Sequence, residues 1–238
     1  MTTESQKNIL LYTAGTPNGF KAAITLEELG IPYEVKRIDI KNLEQKEDWY
    51  LKINPNGRIP AIVDPNNNDF PVFESGALML YLTEKYDNDH KISYPQGSDH
   101  YWELVSWLFF QNAGVGPMQG QANHFLRYAP EKIPYAIDRY QNETRRLYSV
   151  LDKRLKQNGD WLVGDRMTIA DIANFSWVNL AYFVGVEIEE FPNLKKWTGR
   201  IKTREAVKRG LEIPVKFLVQ DDVTNPTNLD EKAKEISN

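Results

Sequence analysis

Residues 54–86 read NPNGRIPAIVDPNNNDFPVFESGALMLYLTEKY, and their reading decides how the first half of the chain folds. Two short apolar runs, Ile59–Val63 and Phe70–Phe73, flank Asp-Pro-Asn-Asn-Asn-Asp, the pattern of a β-hairpin with a longer loop. Glu74-Ser75-Gly76 follows at once, and then Ala77, Leu78, Leu80, Tyr81 and Leu82 recur at helical spacing up to Tyr86. Ser75 stands at the expected cap of that helix, so free backbone N–H groups and the Glu74 carboxylate converge. A point that offers both an acid and helix-start amides suits a small zwitterion.

Working outward, Ile9–Thr13 reads as a buried strand and Ala14–Gly19 as a turn. A helix is expected from Phe20 to Leu29, ended by Gly30 with Pro32 just beyond. Tyr33–Ile40 alternates like a strand, and Trp49–Ile53 is one more helical turn. The order β-α-β-α-β-β-α implies a parallel βαβ unit followed by an antiparallel hairpin and a closing helix, a mixed sheet with helices on its faces.

Downstream, residues 87–98 are polar with Pro and Gly and mark a domain boundary, after which strand signals cease. Helices are expected at Asp99–Gln111, Ile133–Leu155, Ile169–Val184, Leu194–Thr203 and Glu205–Leu211, with a break at Gly114–Gly120. Thr168 and Asp171 form a short capping box, with Met167 and Ile172 placed as a hydrophobic staple. The expected organisation is an α/β domain over 1–88, an all-α domain over 99–221 and a polar, flexible tail over 222–238.

Composition narrows the function classes. Of 238 residues, 41% are hydrophobic and 26% charged, ordinary for a globular chain of this size. A net charge of −4 carries no basic footprint for nucleic acid. No apolar run approaches the roughly 18 residues of a membrane span, and the opening MTTESQKN lacks the apolar core of a secretory signal, so a cytoplasmic location is expected. His90, His100 and His124 are scattered and show no metal-ligand spacing, so no metal is expected. The chain has no cysteine: it can form no disulfide and offers no thiol nucleophile. Any thiol chemistry must use sulfur carried in by a ligand.

A β-α-β-α-β-β-α half bearing Arg58-Ile59-Pro60 and Glu74-Ser75, followed by a helical half bearing Thr168-Ile169-Ala170-Asp171, resembles the cytosolic glutathione transferases over about residues 8–215. Thr16-Pro17-Asn18-Gly19, Glu74-Ser75-Gly76, Trp107-Leu108-Phe109, Ile133-Pro134-Tyr135-Ala136-Ile137 and Arg139-Tyr140-Gln141 are similar to the Nu class and its fungal, nitrogen-regulator-like branch. The resemblance implies a thioredoxin-like N-terminal domain that binds glutathione, an all-helical C-terminal domain, and a two-fold homodimer pairing one half of each subunit with the other half of its partner.

It also assigns roles. The Ile59–Pro60 bond would be cis, turning the backbone of Ile59 to pair with the cysteine of glutathione. Arg58 would lie at the surface or meet a ligand carboxylate. Glu74 would answer the γ-glutamyl ammonium, and Ser75 with the helix-start amides its carboxylate. Thr16 takes the place that a redox-active cysteine holds in thioredoxin relatives, and Thr16 and Asn18 would face the ligand sulfur as the catalytic pair. A hydroxyl or amide N–H there favours thiolate over thiol. A free thiol with a pKa near 8.5 is only a few per cent ionised at pH 7, so a drop of about two units raises the nucleophile more than tenfold. Tyr12 is the rival activator, since several classes use a tyrosine at the end of the first strand. Gln45 would reach the glycine carboxylate, and Arg139 would reach the site from the helical half. Trp102, Trp107, Phe109, Phe110, Phe125, Tyr128 and Trp177 either line an apolar second-substrate site or fill the helical core.

The resulting expectation is a glutathione transferase that activates the glutathione thiol and reduces disulfide bonds, or conjugates small electrophiles, with glutathione or glutathione disulfide as its partner. The alternative is a non-catalytic domain of the same fold serving regulation or assembly.

Overall fold

The structure, a computed structural model, describes residues 6–215. The tail expected over 222–238 lies outside the described residues. The described chain forms two units, one reaching Ile92 and taking in the last helix from Glu205, the other spanning Ser93–Arg204.

In the first unit, β1 (Ile9–Thr13), β2 (Tyr33–Arg37), β3 (Ala61–Asp64) and β4 (Phe70–Phe73) form one sheet in the order β2-β1-β3-β4. β1 runs parallel to β2 and antiparallel to β3, and β3 pairs antiparallel with β4, the expected βαβ-plus-hairpin arrangement. Two strands are shorter than the sequence suggests. β2 stops at Arg37, which pairs with Thr13, the last residue of its neighbour. β3 starts after Pro60, which has no N–H for a ladder. On one face, α1 (Pro17–Leu29) and α3 (Ser75–Tyr86) bury Ala22, Ala23, Leu26, Leu78 and Leu82 against Ile9, Leu11 and Ile62. On the other, α2 (Asp48–Leu51) brings Trp49 and Tyr50 to Tyr12, Ile38 and Ala61.

Helix α1 begins earlier than expected. Thr16 caps it, accepting from the Gly19 N–H, and Pro17 fills the first turn, where its missing N–H costs nothing. The stretch 14–19 is therefore half turn and half helix start.

In the second unit, α4 (Asp99–Phe110) is capped by Ser98, and the expected break at Gly114–Gly120 is absent. The chain stays helical through a wide turn at Gln111–Val115, α5 (Gly116–Asn123) and a second wide turn at His124–Tyr128. Its glycines serve packing: a Cβ on Gly116 or Gly120 would lie 3.5 Å from the Trp177 ring, and one on Gly114 would lie 3.1 Å from Leu147. α6 (Pro134–Asn158) buries Leu147, Tyr148, Leu151 and Leu155 along its expected stripe. α7 (Ile169–Val178) is buried along its whole length and stops short of Val184, giving way to a tight turn at Ala181–Val184 closed by Gly185 at φ +69°. α8 (Pro192–Lys202) starts on the Asp152 carboxylate, which accepts from the N–H groups of Asn193 and Leu194.

The last helix, α9 (Glu205–Leu211), lies with the first unit rather than with the helices before it, against the expectation of a helical domain running to 221. Gly210 permits this, since a Cβ there would sit 2.8 Å from the Ile24 backbone of α1. Arg209 pairs with Glu27, also on α1. Among the described residues no helix is long and apolar enough to cross a membrane. No group of three or more His, Asp or Glu side chains among them is placed to hold a metal.

Candidate functional site

Sheet register collects the candidate residues. Tyr12 pairs with Ala61, Ala61 with Phe73, and Thr13 with Arg37, so the segments leaving β1, β2 and β4 and entering β3 all emerge at one end of the sheet. Those segments carry Thr16 and Asn18, Gln45, Arg58 to Pro60, and Glu74 with Ser75. Arg139 alone lies on the second unit, on α6, where Met118, Tyr135, Asp138, Glu143 and Arg146 join it in lining a cavity of about 650 Å³.

At the start of α1, the Thr16 hydroxyl accepts from the Gly19 N–H at 3.2 Å, which leaves its own proton to donate elsewhere. Asn18 follows in the first helical turn, near the positive end of the helix dipole. Tyr12 is turned to the α2 face. Its ring lies 6.1 Å from both Trp49 and Tyr50, and burial raises its phenol pKa, which opposes ionisation.

Beside it, the Ile59–Pro60 bond is cis. Ile59 makes no backbone hydrogen bond among the described residues. The preceding carbonyl, of Arg58, is held by the Tyr50 hydroxyl at 2.7 Å and the Asn54 amide at 2.6 Å, while the Arg58 side chain is exposed. The Gln45 amide nitrogen donates to the Ile40 carbonyl at 3.4 Å, and its oxygen is buried without a partner.

The start of α3 differs from expectation in one respect. The cap position is Glu74, at φ +65°, and Ser75 is the first helical residue. A left-handed φ on a non-glycine residue is strained. The Glu74 side chain does not cap the helix, so the first N–H groups of α3 stay open; its carboxylate accepts from the Asn56 amide at 3.3 Å.

Sequence reasoning missed Lys21. This residue of α1 is only 1% exposed, and its ammonium donates to the Ser75 hydroxyl at 3.1 Å. Burial draws its pKa down to about 7, partly countered by the Glu74 carboxylate. Asn56 was missed as well. The neighbours of Lys21, Phe20, Ala22, Ala23 and Ile24, suit any amphipathic helix and give no signal for it.

The helical aromatics divide. Trp177 is buried and Phe125 stacks on Tyr140 at 5.6 Å, whereas Trp102 and Phe109 are exposed on α4.

Fold and site thus define a class: a thioredoxin-like α/β unit with the capped start of α1 and the open start of α3 at one end of its sheet, followed by an all-helical unit. The glutathione S-transferase N-terminal domain model matches residues 7–84, and the C-terminal domain model matches residues 122–205. The glutathione S-transferase-like protein gedE of Aspergillus terreus is 43% identical over 215 residues, covering 85% of this chain and 94% of that protein. The disulfide-bond oxidoreductase YfcG of Escherichia coli is 42% identical, with 84% and 93% of the two chains covered. A glutathione transferase homologue from Lodderomyces elongisporus, solved with two GSH per subunit, superposes with a TM-score of 0.85 at 45% identity, covering 87% of this chain and 99% of the other. The chain belongs to the glutathione S-transferase family.

Proposed function

We propose that this chain binds glutathione at the end of the sheet and uses the ligand's own thiolate, chiefly to reduce disulfide bonds. The observation that carries the reading is the register that brings the segments bearing Thr16, Ile59 and Glu74-Ser75 to one end of the sheet in a chain without cysteine. Glu74 takes the γ-glutamyl ammonium; Ser75 and the open amides of α3 take its carboxylate; Ile59 pairs with the cysteinyl backbone. Gln45 and Arg58 meet the glycine carboxylate. Thr16 donates its hydroxyl proton to the sulfur, with Asn18 and the start of α1 adding to the stabilisation of thiolate.

The chemistry balances with two glutathiones. The first thiolate attacks one sulfur of the substrate disulfide, forming a mixed disulfide and expelling a substrate thiolate. The second attacks the glutathione sulfur of that mixed disulfide, releasing the other substrate thiolate and glutathione disulfide. The two thiol protons end on the two released thiols. The names of the Escherichia coli relative and of the Lodderomyces elongisporus structure, with its two GSH per subunit, support this preference over conjugation.

We place the activity in the cytoplasm and in a homodimer. The 60% and 59% exposure of Trp102 and Phe109, about two turns apart on α4, supports an apolar face in need of a partner. Light scattering at the dimer mass is the expected result. The test of function is the rate of glutathione-dependent reduction of 2-hydroxyethyl disulfide against conjugation to a chloronitrobenzene. Reduction is expected to exceed conjugation at least tenfold; the reverse order contradicts the disulfide reading, and the absence of both contradicts catalysis.

A further inference from the structure

Lys21 has no counterpart in the roles assigned above, yet its ammonium is buried against the one hydroxyl expected to meet the γ-glutamyl carboxylate. A buried ammonium is costly, and a chain that needed only packing would place methionine or leucine there. The geometry gives it a use. A serine hydroxyl has one proton and can act as donor or acceptor. At Ser75 the acceptor side is taken by Lys21, 3.1 Å away, and the hydroxyl makes no other hydrogen bond among the described residues. Its proton is left to donate to another group, beside the uncapped first amides of α3.

We propose that Lys21 is a positioning residue that commits Ser75 to donate, so that the start of α3 selects a carboxylate, while Glu74 beside it selects an ammonium. The inference rests on the glutathione reading of the same site and deepens it: the ligand's α-carboxylate is recognised through a buried cation that never touches it. Charge is consistent with this, since the Lys21 ammonium lies within the field of Glu74 and adds positive potential where the ligand's anion would sit. The other charges near α1 are engaged elsewhere. On α9, packed against α1, Lys208 pairs with Glu205 and Arg209 with Glu27, and the Tyr33 hydroxyl also donates to Glu27. Glu74 is the charged group that faces Lys21 from α3.

The test compares glutathione with γ-aminobutyryl-cysteinyl-glycine, which keeps the amine, the thiol and the glycine but lacks the α-carboxylate. Calorimetric titration of the wild-type protein is expected to show a strong preference for glutathione. Lys21→Met is expected to weaken glutathione at least tenfold and the decarboxylated peptide less than twofold. A folded Lys21→Met protein that keeps the full preference overturns the inference alone; wild-type protein that binds neither peptide overturns the glutathione reading and Lys21's part with it. The wild-type preference measured at pH 6 and at pH 8.5 tests the idea without a substitution. The ammonium is lost as pH rises past about 7, so the preference is expected to shrink at least threefold at the higher pH. An unchanged preference overturns the inference.

Discussion

Two helix starts, those of α7 and α3, are built from similar residues and end in opposite states. At α7, Thr168 accepts from the Ala170 N–H, and the Asp171 carboxylate accepts from the N–H groups of Leu162 and Thr168 and from the Trp197 indole. These groups find their partners inside the fold, and Asp171 is wholly buried although burial raises its pKa. At α3, the cap residue is strained, its side chain caps nothing, and the adjacent hydroxyl is backed by a lysine instead of closing the helix. A helix start that satisfies itself holds a domain together. The start of α3, left open beside an acid and a buried cation, has donors that no side-chain cap takes up.

The largest effect should come from the closed corner. Asp171→Ala strands four buried donors, the N–H groups of Leu162 and Thr168, the Thr168 hydroxyl and the Trp197 indole, each worth about 1–3 kcal/mol when left unpaired, so urea unfolding is expected to show a loss of roughly 3 kcal/mol or more. A loss under about 1 kcal/mol would erase the contrast between the two starts. Next in size is Thr16→Ala at α1, which removes both a cap and a donor to sulfur. It is expected to cost about 1 kcal/mol of stability and at least tenfold in kcat/KM for disulfide reduction, about 1.4 kcal/mol of barrier. Thr16→Ser should restore both, and Tyr12→Phe should leave turnover within about twofold; a collapse of turnover in Tyr12→Phe alone would transfer the role to the tyrosine. The smallest change in stability is expected from Glu74→Gly. Relief of the left-handed backbone should leave the protein as stable or up to about 1 kcal/mol more so, while glutathione affinity falls severalfold. A variant that lost stability and kept affinity would make Glu74 structural, like Asp171.

The same contrast explains what was legible in the residues. The hairpin and the closing helix were readable because alternation, turn residues and helical spacing change over within 33 residues of local pattern, 54–86. The α7 capping box was readable for the same reason: both members lie within one turn. Local punctuation misled where glycine had a tertiary use. Gly114, Gly116 and Gly120 read as a break, yet they let helices approach Leu147 and Trp177. Thr16-Pro17 read as turn because both residues also serve turns, and only the hydrogen bond to Gly19 identifies a helix start. Lys21 was not legible at all. A charged residue in an amphipathic helix is assigned to solvent by default, but α1 is enclosed from Gly19 to Leu26, with the sheet core and α3 on its apolar face and α9 packed against it from the far end of the sequence. Burial of that kind is a property of the fold, not of the neighbouring residues.

The account's central claim is that the open start of α3 holds the head of glutathione while the closed start of α7 does not respond to it. Amide chemical shifts followed through a glutathione titration test this directly. The N–H signals of Ile59, Ser75 and Gly76 are expected to move in a saturable way, with those of Ala170 and Asp171 unchanged. Saturation by glutathione with no movement at Ser75 and Gly76 would contradict the account.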